Sequence, residues 1–319
     1  METTQKRPDT ATRAVPAKRR SRFTDEQVVQ MFLTICCTAP NTKRNYERAI
    51  VQFRDFIGGE PLAEVTWRKL EAYKVYLAEG RNGKPLAPAS IAAFIAPLKS
   101  LFKWGSEPNI GLLPSNPALT VRIPPIPITS KKHYLTRKEV GMLLQTLFHA
   151  GTRNYLIGLS LLLLGLRVSE LTRITWGSFQ TDILESSIWL SIVQTKGGKT
   201  REVKVPEPLW KLYQEYGRET FGGQSPDPHQ RVFPLSVRQI ERIIRRGGEQ
   251  SGIAKKLTPH WLRHTNATLA LLQGASLQQV QESLGHSHIN TTQRYLHTVD
   301  MLKKGTSDYV QDCLQEFIR

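Results

Sequence analysis

Leu284-Gly285-His286-Ser287-His288-Ile289-Asn290-Thr291-Thr292-Gln293-Arg294-Tyr295 is the stretch on which the reading turns. Gly285 reads as the residue that ends one helix in the left-handed conformation, and the helix after it carries Tyr295. A lone tyrosine in such a place is ordinarily packing. Two other segments change its weight. Gly165-Leu166-Arg167-Val168-Ser169-Glu170-Leu171 sets an arginine directly after a long apolar helix, an odd place for a surface charge, with Glu170 one turn on. Alone, Arg167 and Glu170 read as an i, i+3 pair that ties down a helix start. His260-Trp261-Leu262-Arg263-His264 puts His260 and Arg263 on one helix face, able to hold the same anion, although a solvated polar face is the ordinary reading.

Around these segments the periodicity is mostly helical. Thr136 and Glu139 form a capping box before Val140, Leu143, Leu144 and Leu147, and further helices are expected over 152–164, 168–175, 207–219, 236–249, 259–273 and 276–284. Only Ile188 to Val193 and Arg201 to Val205 read as strands, a hairpin around Thr195-Lys196-Gly197-Gly198-Lys199. Upstream, four helical patterns run from Phe23 to about Leu119. Val28, Met31, Phe32 and Ile35 follow the cap Thr24; Tyr46, Ile50, Phe53 and Ile57 follow Asn41; Leu70, Tyr73 and Leu77 follow Thr66; Ile91, Ile95, Leu98 and Phe102 surround a potential kink at Pro97. Their aromatic stripes read as core, which leaves polar residues such as Thr42, Lys43 and Arg44 as candidate DNA contacts. The chain is therefore mainly α with a small antiparallel β-sheet, in two domains, residues 23–120 and 133–319. Residues 121–132, with three prolines, read as an exposed stiff linker, and residues 1–22, with seven basic side chains against Glu2 and Asp9, as a disordered arm.

Charge narrows the class. Forty-four Lys and Arg against 27 Asp and Glu leave +17, an excess that points to a polyanion such as nucleic acid. Cys36, Cys37 and Cys313 have no metal-ligand spacing, and two of them are neighbours, so a disulfide framework is not expected and a reducing cytoplasm fits. No secretory signal is read at the N-terminus, and the apolar run Leu156–Leu166 is too short for a bilayer. The histidines lack the Cys or acidic partners of a four-ligand zinc set, and there is no P-loop.

Together the three segments resemble the tyrosine recombinase (phage integrase) family. The family's G-L-R-x-S-E-L pattern falls on Gly165 to Leu171, its H-x-x-R-H pattern on His260 to His264, and its L-G-H-x-x-I-x-T-T-x-x-Y pattern runs unbroken from Leu284 to Tyr295. The hairpin lysine of the family falls on Lys196, and the helical first domain looks like its core-binding (SAM-like) domain, ahead of a C-terminal DNA breaking-rejoining catalytic domain. One departure is Asn266, where the family commonly has Phe. With only about two dozen residues before the first helix, too few for a folded arm-binding domain, a Xer-like or mobile-element recombinase is the expected kind.

The resemblance implies site-specific recombination of double-stranded DNA through a 3′-phosphotyrosyl bond to Tyr295, by a homo-tetramer on two synapsed sites, without metal or ATP. Arg167 and Arg263 would clamp the phosphate as charge builds, because guanidinium matches its non-bridging oxygens. His260 would take the phenol's proton, Lys196 would protonate the leaving 5′-oxygen, with Lys199 as its competitor, and His286 would hydrogen-bond a non-bridging oxygen. Glu170 would orient Arg167 or His260, while His264 and His288 would be structural or peripheral. The apolar residues Tyr309, Val310, Cys313, Leu314 and Phe317 would dock on a neighbouring protomer. Two alternatives remain at this point: a catalytically idle DNA-binding or architectural protein of the same fold, and a type IB topoisomerase-like relaxing enzyme.

Overall fold

The computed structural model describes residues 23–80, 83–125, 133–193, 200–286, 289–303 and 306–317, and it divides into two units, Met1–Ile128 and Thr129–Arg319. In the first unit Thr24 caps α1 (Asp25–Cys36) through a capping box, its hydroxyl accepting from the Gln27 amide while its own amide donates to the Gln27 side chain at 2.9 Å. Helix α2 (Pro40–Phe56) opens two residues earlier than an Asn41 cap would set. Pro40 takes the first turn, where a missing N–H leaves nothing unpaired. Helices α3 (Trp67–Glu79) and α4 (Pro88–Gly105) follow, α4 continuing through Pro97. Phe32, Phe53, Tyr73 and Phe102 are all fully buried, and Phe53 meets Tyr73 edge-on at 5.1 Å between ring centroids, so the aromatic stripes are core. Val121, expected at the start of an exposed linker, is instead buried against this core. Lys99 Nζ donates to the Ala118 carbonyl at 2.8 Å and to that of Val121, which pins the segment down. The arm 1–22 and most of the linker, 126–132, lie outside the described residues.

In the second unit the capping box of Thr136 and Glu139 starts α5 (Arg137–His149), and α6 (Thr152–Leu163) runs through the middle of the core with Leu156, Ile157 and Leu161 fully buried. Helix α7 (Val168–Leu171) is a single turn, shorter than the helix expected to 175. Thr175 forms an antiparallel bridge with Arg231, and the Trp176 amide donates to the Gln230 carbonyl at 3.1 Å, so the backbone bonds leave the helix there. The sheet has strand order β1 (Phe179–Thr181), β2 (Ile188–Val193), β3 (Thr200–Val205), all antiparallel. Strand β1 was not expected; three residues are too few for alternation to show. Helices α8 (Glu207–Phe221), α9 (Val237–Gln250), α10 (Pro259–Leu272), α11 (Leu277–Leu284), α12 (Ile289–Lys303) and α13 (Thr306–Cys313) complete the unit. A second, smaller apolar cluster joins α10, α11 and α12 through Ala267, Leu271, Val280, Leu284, Tyr295 and Val299. Among the described residues no helix is long and apolar enough to cross a membrane.

Candidate active site

The site grows from the end of α6. After Leu163 the chain must turn sharply to deliver Arg167, and Gly165 makes the turn at φ +58°. A Cβ there would lie 2.7 Å from Asn266 Oδ1 and 2.8 Å from the Leu284 side chain, so only glycine fits. Asn266, the departure from the family pattern, donates through Nδ2 to the carbonyls of Leu162 at 2.8 Å and Leu163 at 3.0 Å. It caps the orphan end of α6, a task that phenylalanine cannot perform.

Arg167 then stands at the N-cap of α7. Its amide donates to Glu170 Oε2 at 2.8 Å, and its Nη1 to Glu170 Oε1 at 2.7 Å. The helix-start pair read from the sequence is therefore present, but it is not all. Glu170 is almost fully buried and also receives both arms of Arg201, each at 3.0 Å, with Arg263 Nη1 3.9 Å away. Among the described residues, then, one buried carboxylate sits amid three guanidiniums, an arrangement with an excess of positive charge suited to an anion.

The guanidiniums converge on one helix end. Helix α11 closes on Gly285 at φ +64°, and its last carbonyls are orphans with the negative end of the helix dipole behind them. Arg201 Nε donates to Ser283 O at 2.8 Å, Arg263 Nη2 to Leu284 O at 2.5 Å and Arg167 Nη2 to Gly285 O at 3.1 Å. Arg263 Nη1 also donates to Gly165 O at 2.6 Å. Three consecutive carbonyls thus hold three guanidiniums, each with N–H groups to spare.

Tyr295 and the histidines line the same place. Tyr295 is 7% exposed, its ring 5.2 Å from that of His264 and parallel to that of His286 at 6.4 Å. His286 Nδ1 is 2.9 Å from the hydroxyl of buried Thr292. His260, exposed at the edge, meets His264 edge-on at 4.2 Å. Partial desolvation against its neighbours, with help from Arg263, lowers the pKa of His260 below its ordinary value. Burial and then His260 push His264 down to about 4, and burial and then Arg263 push His286 down to about 4, so both are neutral at pH 7. Arg263 is lowered to about 10, chiefly by burial and then by Arg167, and stays charged; the phenol of Tyr295 is near enough to act on it in the opposite sense.

Of the residues picked from the sequence, the structure brings together Arg167, Glu170, His260, Arg263, His264, His286 and Tyr295. Lys196, Lys199 and His288 lie outside the described residues. Thr42, Lys43 and Arg44 lie near the start of α2 in the other unit, with Arg44 exposed. Two features escaped the sequence reading. Arg201 was taken only as the first residue of a strand, yet it stands in phase with inward-facing Val203 and Val205, and a charge at an inward position of an alternating strand is a signal. Arg238, Arg242, Arg245 and Arg246 form an exposed stripe on α9 opposite buried Ile240 and Ile244, visible as i, i+4, i+7, i+8 spacing. Among the described residues no group of three or more His, Cys, Asp or Glu is placed to share a metal ion.

Residues 133–301 match the phage integrase family, and residues 27–111 match its N-terminal SAM-like domain. The chain belongs to the phage integrase family. This recombinase is 32% identical over 266 residues to a tyrosine recombinase of Pseudothermotoga lettingae, covering 80% of this chain and 85% of that protein. It is 28% identical over 278 residues to the tyrosine recombinase XerC of Bacillus subtilis, covering 82% and 87%. Its fold is similar to that of a chain in the crystal structure of a lambda integrase dimer bound to a COC′ core site, with a TM-score of 0.65, 22% identity, and 86% of this chain matched to 95% of that one. As a tyrosine recombinase the chain cleaves and rejoins DNA at specific sites by transesterification. These relatives do not favour an idle architectural protein or a relaxing topoisomerase.

Proposed function

We propose that Tyr295 is the nucleophile of this recombinase and that the guanidiniums gathered at the end of α11 hold the phosphate it attacks. The observation that carries the reading is the placement of the Tyr295 ring beside His264 and His286, within electrostatic reach of buried Arg263 of the same chain. Attack of the phenol oxygen on phosphorus forms a 3′-phosphotyrosyl bond and releases a 5′-hydroxyl. The reverse attack by a 5′-hydroxyl restores the diester and frees the phenol. Bond energy is conserved through the covalent intermediate, so the exchange needs neither ATP nor a metal ion.

Arg167 and Arg263 stabilise the charge that accumulates on the non-bridging oxygens. Arg263 is aimed by two carbonyls and Arg167 by Glu170 and one carbonyl, so little reorganisation is needed when charge develops. His260, its pKa lowered by partial desolvation and by Arg263, accepts the phenol proton. Neutral His286 donates to a non-bridging oxygen from Nε2, in the tautomer whose Nδ1 accepts from the Thr292 hydroxyl 2.9 Å away. Lys196 supplies the proton to the leaving 5′-oxygen.

DNA is held by backbone contacts from Thr42, Lys43 and Arg44 on α2 and from the arginine stripe of α9. The partners are double-stranded recombination sites in the cytoplasm, two protomers per site and four in the synaptic complex. Solved relatives include a lambda integrase dimer on a core site and a lambda integrase tetramer on a Holliday junction. Val310, Leu314 and Phe317 are exposed, an apolar set fitted to docking on a neighbouring protomer. Residues 23–120 act as the core-binding domain and 133–319 as the catalytic domain. The test is a denaturing gel of protein incubated with a nicked duplex carrying its site. The expected result is a covalent protein–DNA band that Tyr295→Phe abolishes; a band that survives in Tyr295→Phe overturns the assignment.

A further inference from the structure

The roles above leave Arg201 without a task, although it is far more buried than Arg167. Arg201 grips both oxygens of Glu170, with 7% of its side chain exposed. The Arg167 side chain holds one oxygen and remains 40% exposed. A two-armed fork on a carboxylate is the stronger and more directional pairing. Through Nε the same Arg201 side chain holds Ser283 O, the first of the three carbonyls that end α11. It thereby joins β3, α7 and α11 at one point.

We propose that Arg201 is a positioning residue for strand cleavage: by sharing Glu170 it limits Arg167 to one side-chain contact with that carboxylate and leaves its remaining N–H groups for the phosphate, and by holding Ser283 it fixes the helix end from which His286 and Tyr295 depart. The inference rests on the reading of Tyr295 as nucleophile. The charge balance gives the reason. Without Arg201, the buried carboxylate keeps, among the described residues, only Arg167 and, at 3.9 Å, Arg263 as counter-ions. A buried carboxylate left short of partners draws in the nearest cation, because an uncompensated charge in a low-dielectric site is costly. The nearest is Arg167, already on one oxygen at 2.7 Å, and any further N–H group that it turns onto Glu170 is lost to the substrate. At the same time the Ser283 carbonyl loses its donor, and the segment carrying His286 loosens.

The experiment is single-turnover formation of the covalent adduct on a nicked duplex whose site has been selected from random duplexes with the wild-type protein. The amplitude counts competent molecules, and the rate constant reports on each one. Misplacement of reacting groups by about 1 Å costs on the order of 100-fold. Arg201→Met is expected to lower the rate constant by about 10- to 100-fold with duplex affinity unchanged, and Arg201→Lys, which keeps the charge without the fork, to fall between. Adding Glu170→Gln to Arg201→Met is expected to recover part of the rate, since a neutral amide carries no charge to draw a second arm from Arg167. A purely structural role would reduce the amplitude and leave the rate constant alone. Equal rate constants for wild type and Arg201→Lys overturn the inference even where Arg201→Met does not fold, and so does a double variant slower than Arg201→Met. Absence of any wild-type adduct overturns the Tyr295 reading itself.

Discussion

Arg44, near the start of α2, is exposed, whereas Arg263, inside α10, is 2% exposed and spends two of its N–H groups on the carbonyls of Gly165 and Leu284. The two side chains are chemically identical and sit in opposite circumstances. An exposed arginine keeps its rotamers and its water until DNA arrives, so it contributes affinity that salt erodes. A buried one has lost that freedom on folding and is already aimed, so it contributes where charge appears in the transition state. Affinity and rate should therefore separate between the exposed and the buried arginines.

The largest effect should come from the buried member. Arg263→Met removes a preorganised donor and leaves two buried carbonyls unpaired, for a loss of about 10²–10³-fold in adduct rate and about 2–4 kcal/mol in stability. Single-turnover cleavage and urea denaturation measure the two. A rate loss no larger than that of an exposed α2 arginine would break the comparison.

Acid sharpens it next. His264 and His286 have folded pKa values near 4 against an ordinary 6.5, so the unfolded chain binds protons first as pH falls. Their contribution is complete above the unfolded value and is lost as pH drops from 6.5 toward 4. The first unit, residues 1–128, contains no histidine. Hydrogen-exchange protection, corrected for intrinsic rates, should therefore fall in α10–α12 between about pH 7 and 5 while α1–α4 hold theirs. Equal losses in both would contradict the assignment. The same sign applies to cleavage, which needs His260 neutral and should fade on the acid side.

The smallest change per molecule is expected at α2. Lys43→Ala and Arg44→Ala should each weaken duplex binding and lower the slope of log affinity against log salt by about 1, with the adduct rate at saturating DNA unchanged. Fluorescence anisotropy across a salt series reads both.

Much of this molecule was readable from local rules, and the exceptions are instructive. Thr24, Thr136 and Gly285 mark helix ends because capping depends on residues within one turn, and each performs that task. Asn41 misled because Pro40 beside it opens the helix earlier, and α7 ended early because its backbone found partners at Gln230 and Arg231, far away in sequence. In the site, Arg167, Arg263 and Tyr295 stood out through their motif strings. Arg201 did not, since its meaning lies in Glu170 and Ser283, 31 and 82 residues distant. Convergence of three guanidiniums on three consecutive carbonyls is a tertiary fact that no single segment contains.

The most direct test is to locate the bond. Adduct formed on a nicked site, digested with trypsin and nuclease and weighed by mass spectrometry, should yield one peptide bearing a nucleotide phosphate on Tyr295. A phosphate on any other side chain would contradict the account.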